Sequence, residues 1–213
     1  MPPDAVLLLF VGRIQPLKAP DVLIRAVAEL TDRDPSRREL LQLIIIGSPS
    51  GPDAAWSQSL TPLAESLGVA DLISFRPHSA RADLFRWYCV SDLVGVPSYS
   101  ESFGLVALEA QACGRPVVAA AVGGLRHAVV DRETGLLVRG HDPRRWADAL
   151  SAVLDEPGAL VSMGANAAGH ASRYSWDNTA AATLDAYGVA VQHANRRPQI
   201  VASQVTFPRG LWE

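Results

Sequence analysis

Short, continuously apolar runs alternate with amphipathic stretches along nearly the whole chain, and this alternation constrains the fold more than any other feature. Ala5-Val6-Leu7-Leu8-Leu9-Phe10-Val11 is apolar at every position and ends at Gly12. A strand with one wet face alternates polar and apolar residues, so an unbroken run reads as a strand covered on both faces. Further strands are expected over the mainly apolar runs Leu40–Ile46, Leu72–Phe75, Leu93–Val96, Pro116–Ala120 and Gly135–Val138, of which the first two include Gln42 and Ser74.

Helical periodicity fills the gaps. It opens at Pro20-Asp21 and runs through Leu30, then returns over Asp53–Leu67 with a break expected at Pro62, and over Ala82–Val90 with Leu84, Phe85 and Tyr88 expected inward. It recurs over Phe103–Cys113, from Gly123-Gly124 to Val130, and near 143–155, 157–170 and 176–192. Strand and helix alternating six times predict an α/β domain, a Rossmann-like doubly wound parallel sheet. Residues 1–190 are expected to form this domain and 191–213 an irregular or poorly ordered tail.

Composition narrows the function. The chain has 213 residues and 48% hydrophobic content, enough for a core that needs neither disulfide nor metal. A net charge of −3 gives no basic excess to hold nucleic acid, and no apolar run reaches the roughly 20 residues of a membrane span. Met1-Pro2-Pro3-Asp4 lacks a signal-peptide pattern and two cysteines make no disulfide framework, so a cytoplasmic protein is expected. Lysine and arginine total 19, yet Lys18 is the single lysine. Any lysine-dependent chemistry must use it.

Doubly wound sheets bind ligands beyond the carboxyl ends of their strands, so the loops after the strands are the candidates. Gly12-Arg13-Ile14-Gln15-Pro16-Leu17-Lys18 follows the first strand. Gly12 is expected to let the chain turn sharply, with Arg13 a planar fork for phosphate oxygens and Lys18 a compact point charge. The loop is neither a Walker A nor a G-x-G-x-x-G fingerprint, which disfavours an ordinary dinucleotide oxidoreductase. Pro97–Leu105 runs into a helix carrying Glu109. The helix start at Ser102, Phe103, Gly104 and Leu105 is an anion site through its free N–H groups. Glu101 and Glu109 are expected to face one crevice as acceptors for a diol. Gly123-Gly124 reads either as support for the helix behind the site or as a tight turn. Asp32-Arg33-Asp34 is formally D-x-D but follows a helix, and is expected to be a solvated loop. Cys89 and Cys113 read as small core residues.

The segment from Phe10-Val11-Gly12-Arg13 through Lys18-Ala19-Pro20, then Glu101-x7-Glu109, Gly114-Arg115-Pro116-Val117-Val118 and Gly135-Leu136-Leu137-Val138, resembles the retaining GT-B glycosyltransferases of family 4. The match runs from about residue 5 to residue 190. The resemblance implies a UDP-sugar donor, with Arg13 and Lys18 on its diphosphate, Glu101 on sugar hydroxyls and Glu109 on the ribose. Arg13, Lys18 and Glu101 would form the catalytic set. It implies backbone contacts from Gly12 and from Ser102 to Leu105, and contact of His78-Ser79 with the uracil, although the family carries arginine at the position of Ser79. No cofactor is implied for donor binding. A Mg2+ site is implied at Tyr88, Cys89 and Ser91 with the residue at Arg115, where the family carries threonine. The small-molecule acceptor would bind an N-terminal domain absent from this chain, and a homodimer is a further expectation. The rival phosphorylase-like reading needs a lysine-bound pyridoxal phosphate, and Lys18 lies in the wrong kind of loop for it.

Overall fold

The computed structural model describes residues 5–51, 54–156 and 158–196, so the expected tail beyond 196 lies outside the described residues. Two compact units emerge, one ending at Arg173 and one beginning at Tyr174. The expected domain limit at 190 falls inside the helix of the second unit.

In the first unit the six apolar runs become six parallel strands: β1 (Val6–Val11), β2 (Leu41–Ile46), β3 (Ile73–Arg76), β4 (Leu93–Val96), β5 (Val117–Ala120) and β6 (Gly135–Val138). Their order is β3-β2-β1-β4-β5-β6. Strand β1 is central, its residues Leu7 to Phe10 buried on both faces, as the unbroken run requires. It pairs with β2 along its length, from Val6 opposite Leu41 to Val11 opposite Ile46. It meets β4 only at Leu8–Leu93 and Leu9–Val94.

Helices cover both faces: α1 (Pro20–Arg33), α2 (Leu60–Ser66), α3 (Arg81–Val90), α4 (Leu105–Ala112), α5 (Leu125–Ala128), α6 (Pro143–Leu154) and α7 (Ala159–Ala171). Pro20 and Pro143 sit in the first turns of α1 and α6, where no N–H is missed. Helix α1 turns an unbroken apolar face inward, with Val22, Leu23, Ala26, Val27 and Leu30 buried. In α6 the fully buried Trp146 donates its indole N–H to the Gly140 carbonyl at 3.1 Å.

Three expectations need correction. The helix over 53–67 divides into a 3-10 segment (Ala54–Ser59) and α2, so the break precedes Pro62, which occupies the first turn. Phe85 is not inward: 58% of it is exposed, whereas Tyr88 is buried and Leu84 half-buried. Three residues back from Tyr88, Phe85 lies at the edge of α3's covered stripe. Asp32-Arg33-Asp34 is solvated, with Asp32 and Arg33 exposed, but it closes α1 and is not a loop: Arg33 pairs with Asp148 at 2.5 Å and Asp34 accepts the Ser36 N–H.

The second unit contains helix α8 (Trp176–Arg196), on which Leu184, Tyr187 and Val191 are exposed. Residues 191–196, expected to be irregular, continue that helix. Among the described residues no helix is long and apolar enough to cross a membrane.

Candidate functional site

Strand order reverses direction between β1 and β4, where successive crossovers leave for opposite sides of β1. Crevices open beyond the carboxyl ends of strands at such switch points. The two loops singled out from the sequence are those that leave the sheet there.

After β1 the chain stays bound to its neighbour. The Gly12 N–H donates to the Ile46 carbonyl at 3.0 Å and the Ile14 N–H to the Ser48 carbonyl at 3.0 Å. A 3-10 turn, Pro16–Lys18, then presents Lys18. Buried Ala19 follows in the left-handed region, at φ 51° and ψ 44°, and redirects the chain into α1. Gly12 itself has no positive φ, so the left-handed step in this loop is taken by Ala19, and the glycine requirement nearby is a steric one at Gly47. A Cβ at Gly47 would stand 1.9 Å from the Gly12 carbonyl oxygen, so only glycine lets these loops approach.

After β4, Pro97–Gly104 leads into α4. Gly104 caps the helix at φ 94°, outside the range of ordinary residues. The first intrahelical bond returns to its carbonyl from Leu108, at 3.2 Å, which leaves the preceding N–H groups of the first turn open to an anion. Ser102, Phe103 and Leu105 are exposed there. Gly124 buttresses the loop from behind: its N–H donates to the Glu101 carbonyl at 2.8 Å, and a Cβ on it would fall 2.4 Å from the Ser102 carbonyl oxygen. The Gly123-Gly124 pair thus does more than turn the chain.

Lys18 Nζ lies 2.5 Å from a Glu101 carboxylate oxygen, with 18% and 19% of the two side chains exposed. This pair bridges the switch point. Gly12, exposed Arg13 and Glu109 line a cleft of about 360 Å3 with Gly47, Ser48 and His78. Glu109 is aimed by α3, since the Tyr88 hydroxyl donates to its Oε2 at 3.0 Å. Burial, then the charge of Glu109, pushes the Tyr88 hydroxyl far above its usual range, so it remains a donor. A smaller recess of about 210 Å3, between α3 and α4, shares Leu84 and Glu109 with this cleft and is walled mainly by apolar side chains, Phe85 and Ala112 among them.

The structure therefore separates some residues that the sequence grouped. Glu109 lines the cleft with Arg13, and Glu101 is engaged by Lys18. Ser79 lines a different surface groove, with Asp83 and Trp87, and its neighbour His78 reaches the cleft in its place. The β2 loop Gly47–Ser50 was missed, although its glycine directly after a buried strand was visible.

The Mg2+ site is implied through main-chain oxygens of Tyr88, Cys89 and Ser91, and its fourth position, Arg115, departs from an oxygen donor. The Tyr88 carbonyl already accepts the Ser91 hydroxyl at 2.9 Å. The side chain at Arg115 offers only donors and a fixed positive charge, and its buried Nε has no hydrogen-bond partner among the described residues. That charge acts on Cys113, whose thiol is pushed up to about 11 by burial and then by neighbouring Cys89. A divalent cation does not fit beside it.

A parallel sheet of this order, with cations, a carboxylate-lined cleft and an open helix start at its switch point, is the architecture of one GT-B glycosyltransferase domain. The chain belongs to the group 1 glycosyl transferases, whose family description matches residues 2–170. D-inositol 3-phosphate glycosyltransferase 2 of Catenulispora acidiphila is 53% identical over 206 residues, covering 96% of this chain and 48% of that protein. The chain spans about half the length of the curated relatives it matches. Sucrose-phosphate synthase of Thermosynechococcus elongatus superimposes with a TM-score of 0.77 at 31% identity, over 91% of this chain and 47% of the other. HepE of Anabaena, in complex with UDP and glucose, shares the fold with a TM-score of 0.76 at 23% identity, over 88% and 49%.

Proposed function

We propose that this chain is the donor side of a retaining sugar transfer. It binds UDP-N-acetylglucosamine for transfer to 1D-myo-inositol 3-phosphate, a step of mycothiol biosynthesis. The carrying observation is the grouping of Arg13 and Glu109 in one cleft beside the Lys18–Glu101 pair and the start of α4. The acceptor reading is supported by the relatives named D-inositol 3-phosphate glycosyltransferases, and the uridine reading by the fold shared with HepE in its UDP complex.

Glu109, oriented by Tyr88, accepts hydrogen bonds from the ribose diol, and the loop at His78 meets the base. Arg13 and the first N–H groups of α4 hold the diphosphate. Lys18 leaves Glu101 to join them, and Glu101 takes sugar hydroxyls. As the bond from sugar to phosphate oxygen lengthens, negative charge grows on the departing diphosphate. Fixed donors in a partly dried crevice stabilise that charge without reorganising. Arg13 and Lys18 thus do what a divalent cation does at other phosphate sites. Every group placed at the cleft serves the donor, so these residues are expected to bind it and, by themselves, to transfer nothing.

Calorimetric titration with UDP, UDP-N-acetylglucosamine and UDP-glucose tests this. Lys18→Ala should weaken UDP about 10- to 100-fold, the loss of one charge-assisted phosphate contact. Equal UDP affinity in both proteins refutes the phosphate role, and measured transfer to inositol 3-phosphate by these residues alone refutes the donor-only assignment.

A further inference from the structure

Two rings beside the Lys18–Glu101 pair have no part in the mechanism above. Tyr99 belongs to the loop that carries Glu101. His141 follows β6, two strands away from β4 in the sheet. The rings stack, with centroids 3.9 Å apart and planes inclined at 27°. The His141 Nε2 lies 3.3 Å from the Ser98 carbonyl oxygen. A carbonyl only accepts, so this contact selects the tautomer with its hydrogen on Nε2.

The loop is tied at three points. The Tyr99 N–H donates to the Leu17 carbonyl at 2.9 Å, one residue before Lys18, and Gly124 holds the Glu101 carbonyl. Those two ties join backbone to backbone. The third depends on a side chain, His141, which grips the loop twice: by hydrogen bond at buried Ser98 and by stacking at Tyr99. One imidazole therefore connects the end of β6 with the loop after β4.

We propose that His141 is a positioning residue, which through the Ser98 carbonyl and the Tyr99 ring keeps Glu101 directed at the donor sugar when Lys18 exchanges it for the diphosphate. The physical need arises from the ion pair itself. While Lys18 is bound to Glu101, each holds the other in place. An arriving diphosphate competes for the ammonium, and the carboxylate then keeps its direction only if its backbone is fixed elsewhere. His141 fixes it from the loop after β6, which carries neither partner. The proposal rests on the donor-site reading.

Three substitutions separate the two grips. His141→Phe retains a ring and loses the donor, His141→Gln retains a donor and loses the ring, and His141→Ala loses both. In titrations of the 213-residue chain, His141→Ala should weaken UDP-N-acetylglucosamine about tenfold and change UDP less than about twofold, with the other two variants between. A merely structural role would weaken both ligands alike. Equal losses, or none, overturn the proposal. A wild-type chain that binds neither ligand refutes the donor reading instead, and amide exchange then decides the clamp. Faster exchange of the Tyr99 N–H in His141→Ala, with the β1–β2 amides unchanged, supports it, and an unchanged rate overturns it.

Discussion

His170 lies on α7 with only 7% of its surface exposed. Burial, then the charge of Arg173 beside it, holds its imidazole below the usual 6.5. The sign of the consequence is fixed. As pH falls through 6.5 the unfolded chain takes up a proton that the folded chain still refuses, so stability is full above that value and lost below it. The urea midpoint should therefore drop more steeply between about pH 7.5 and pH 5.5 in the wild type than in His170→Gln. Parallel slopes would refute the assignment. At this scale the sequence was informative about which residues matter and silent about whom they meet. Arg13, Lys18, Glu101 and Glu109 could be chosen because they follow buried strands. The Lys18–Glu101 pair spans 83 positions, and the hydroxyl that aims Glu109 comes from a tyrosine 21 positions earlier. No local pattern encodes either contact. Glu101 and Glu109 lie eight positions apart, and spacing alone does not show that Glu101 is held by a lysine from another loop.

Among the elements, the strands followed most directly from the pattern, each within a residue or so of its apolar run, because a strand covered on both faces leaves little place for a polar side chain; Gln42 in β2 and Ser74 in the edge strand β3 are only half-buried. Helix ends were less legible. The segment before Pro62 carries little apolar periodicity and forms a 3-10 stretch, and Phe85 fell outside a stripe that its apolar character had suggested. The close approaches between loops were not legible at all, since they depend on what lies opposite a glycine. Gly47 and Gly95 give a direct comparison. At Gly47 an added methyl meets the backbone carbonyl of Gly12, which also forms the cleft wall. At Gly95 it meets the methyls of Leu23 at 2.7 and 2.9 Å, which a rotamer change can partly relieve. Gly47→Ala should cost about 2–3 kcal/mol of stability and Gly95→Ala nearer 1 kcal/mol. Urea midpoints measure both, and an equal or inverted order would show that the β1 and β2 loops can separate freely.

For the molecule as a whole, alternation predicted a doubly wound parallel sheet, and the order β3-β2-β1-β4-β5-β6 then placed the switch point between the loops that carry Lys18 and Glu101. The order itself is not written in the alternation, since several windings satisfy the same succession of runs. It follows from how right-handed crossovers pack on either side of the longest buried pairing, β1 with β2. Where the compact unit ends was also hidden, because α8 continues a helical periodicity that begins well inside it. One feature turns this scale into an instrument. Lys18 is the single lysine in 213 residues and it sits in the candidate site. Reductive methylation with 13C-formaldehyde, which preserves the ammonium charge, would give one dimethyl-lysine resonance besides that of the terminal amine. That signal should move when UDP is added and hold still when uridine is added. A resonance indifferent to both would mean that the amine never leaves its carboxylate. The protein thus carries a built-in spectroscopic reporter of its own ion-pair exchange, in a spectrum with almost nothing else in it.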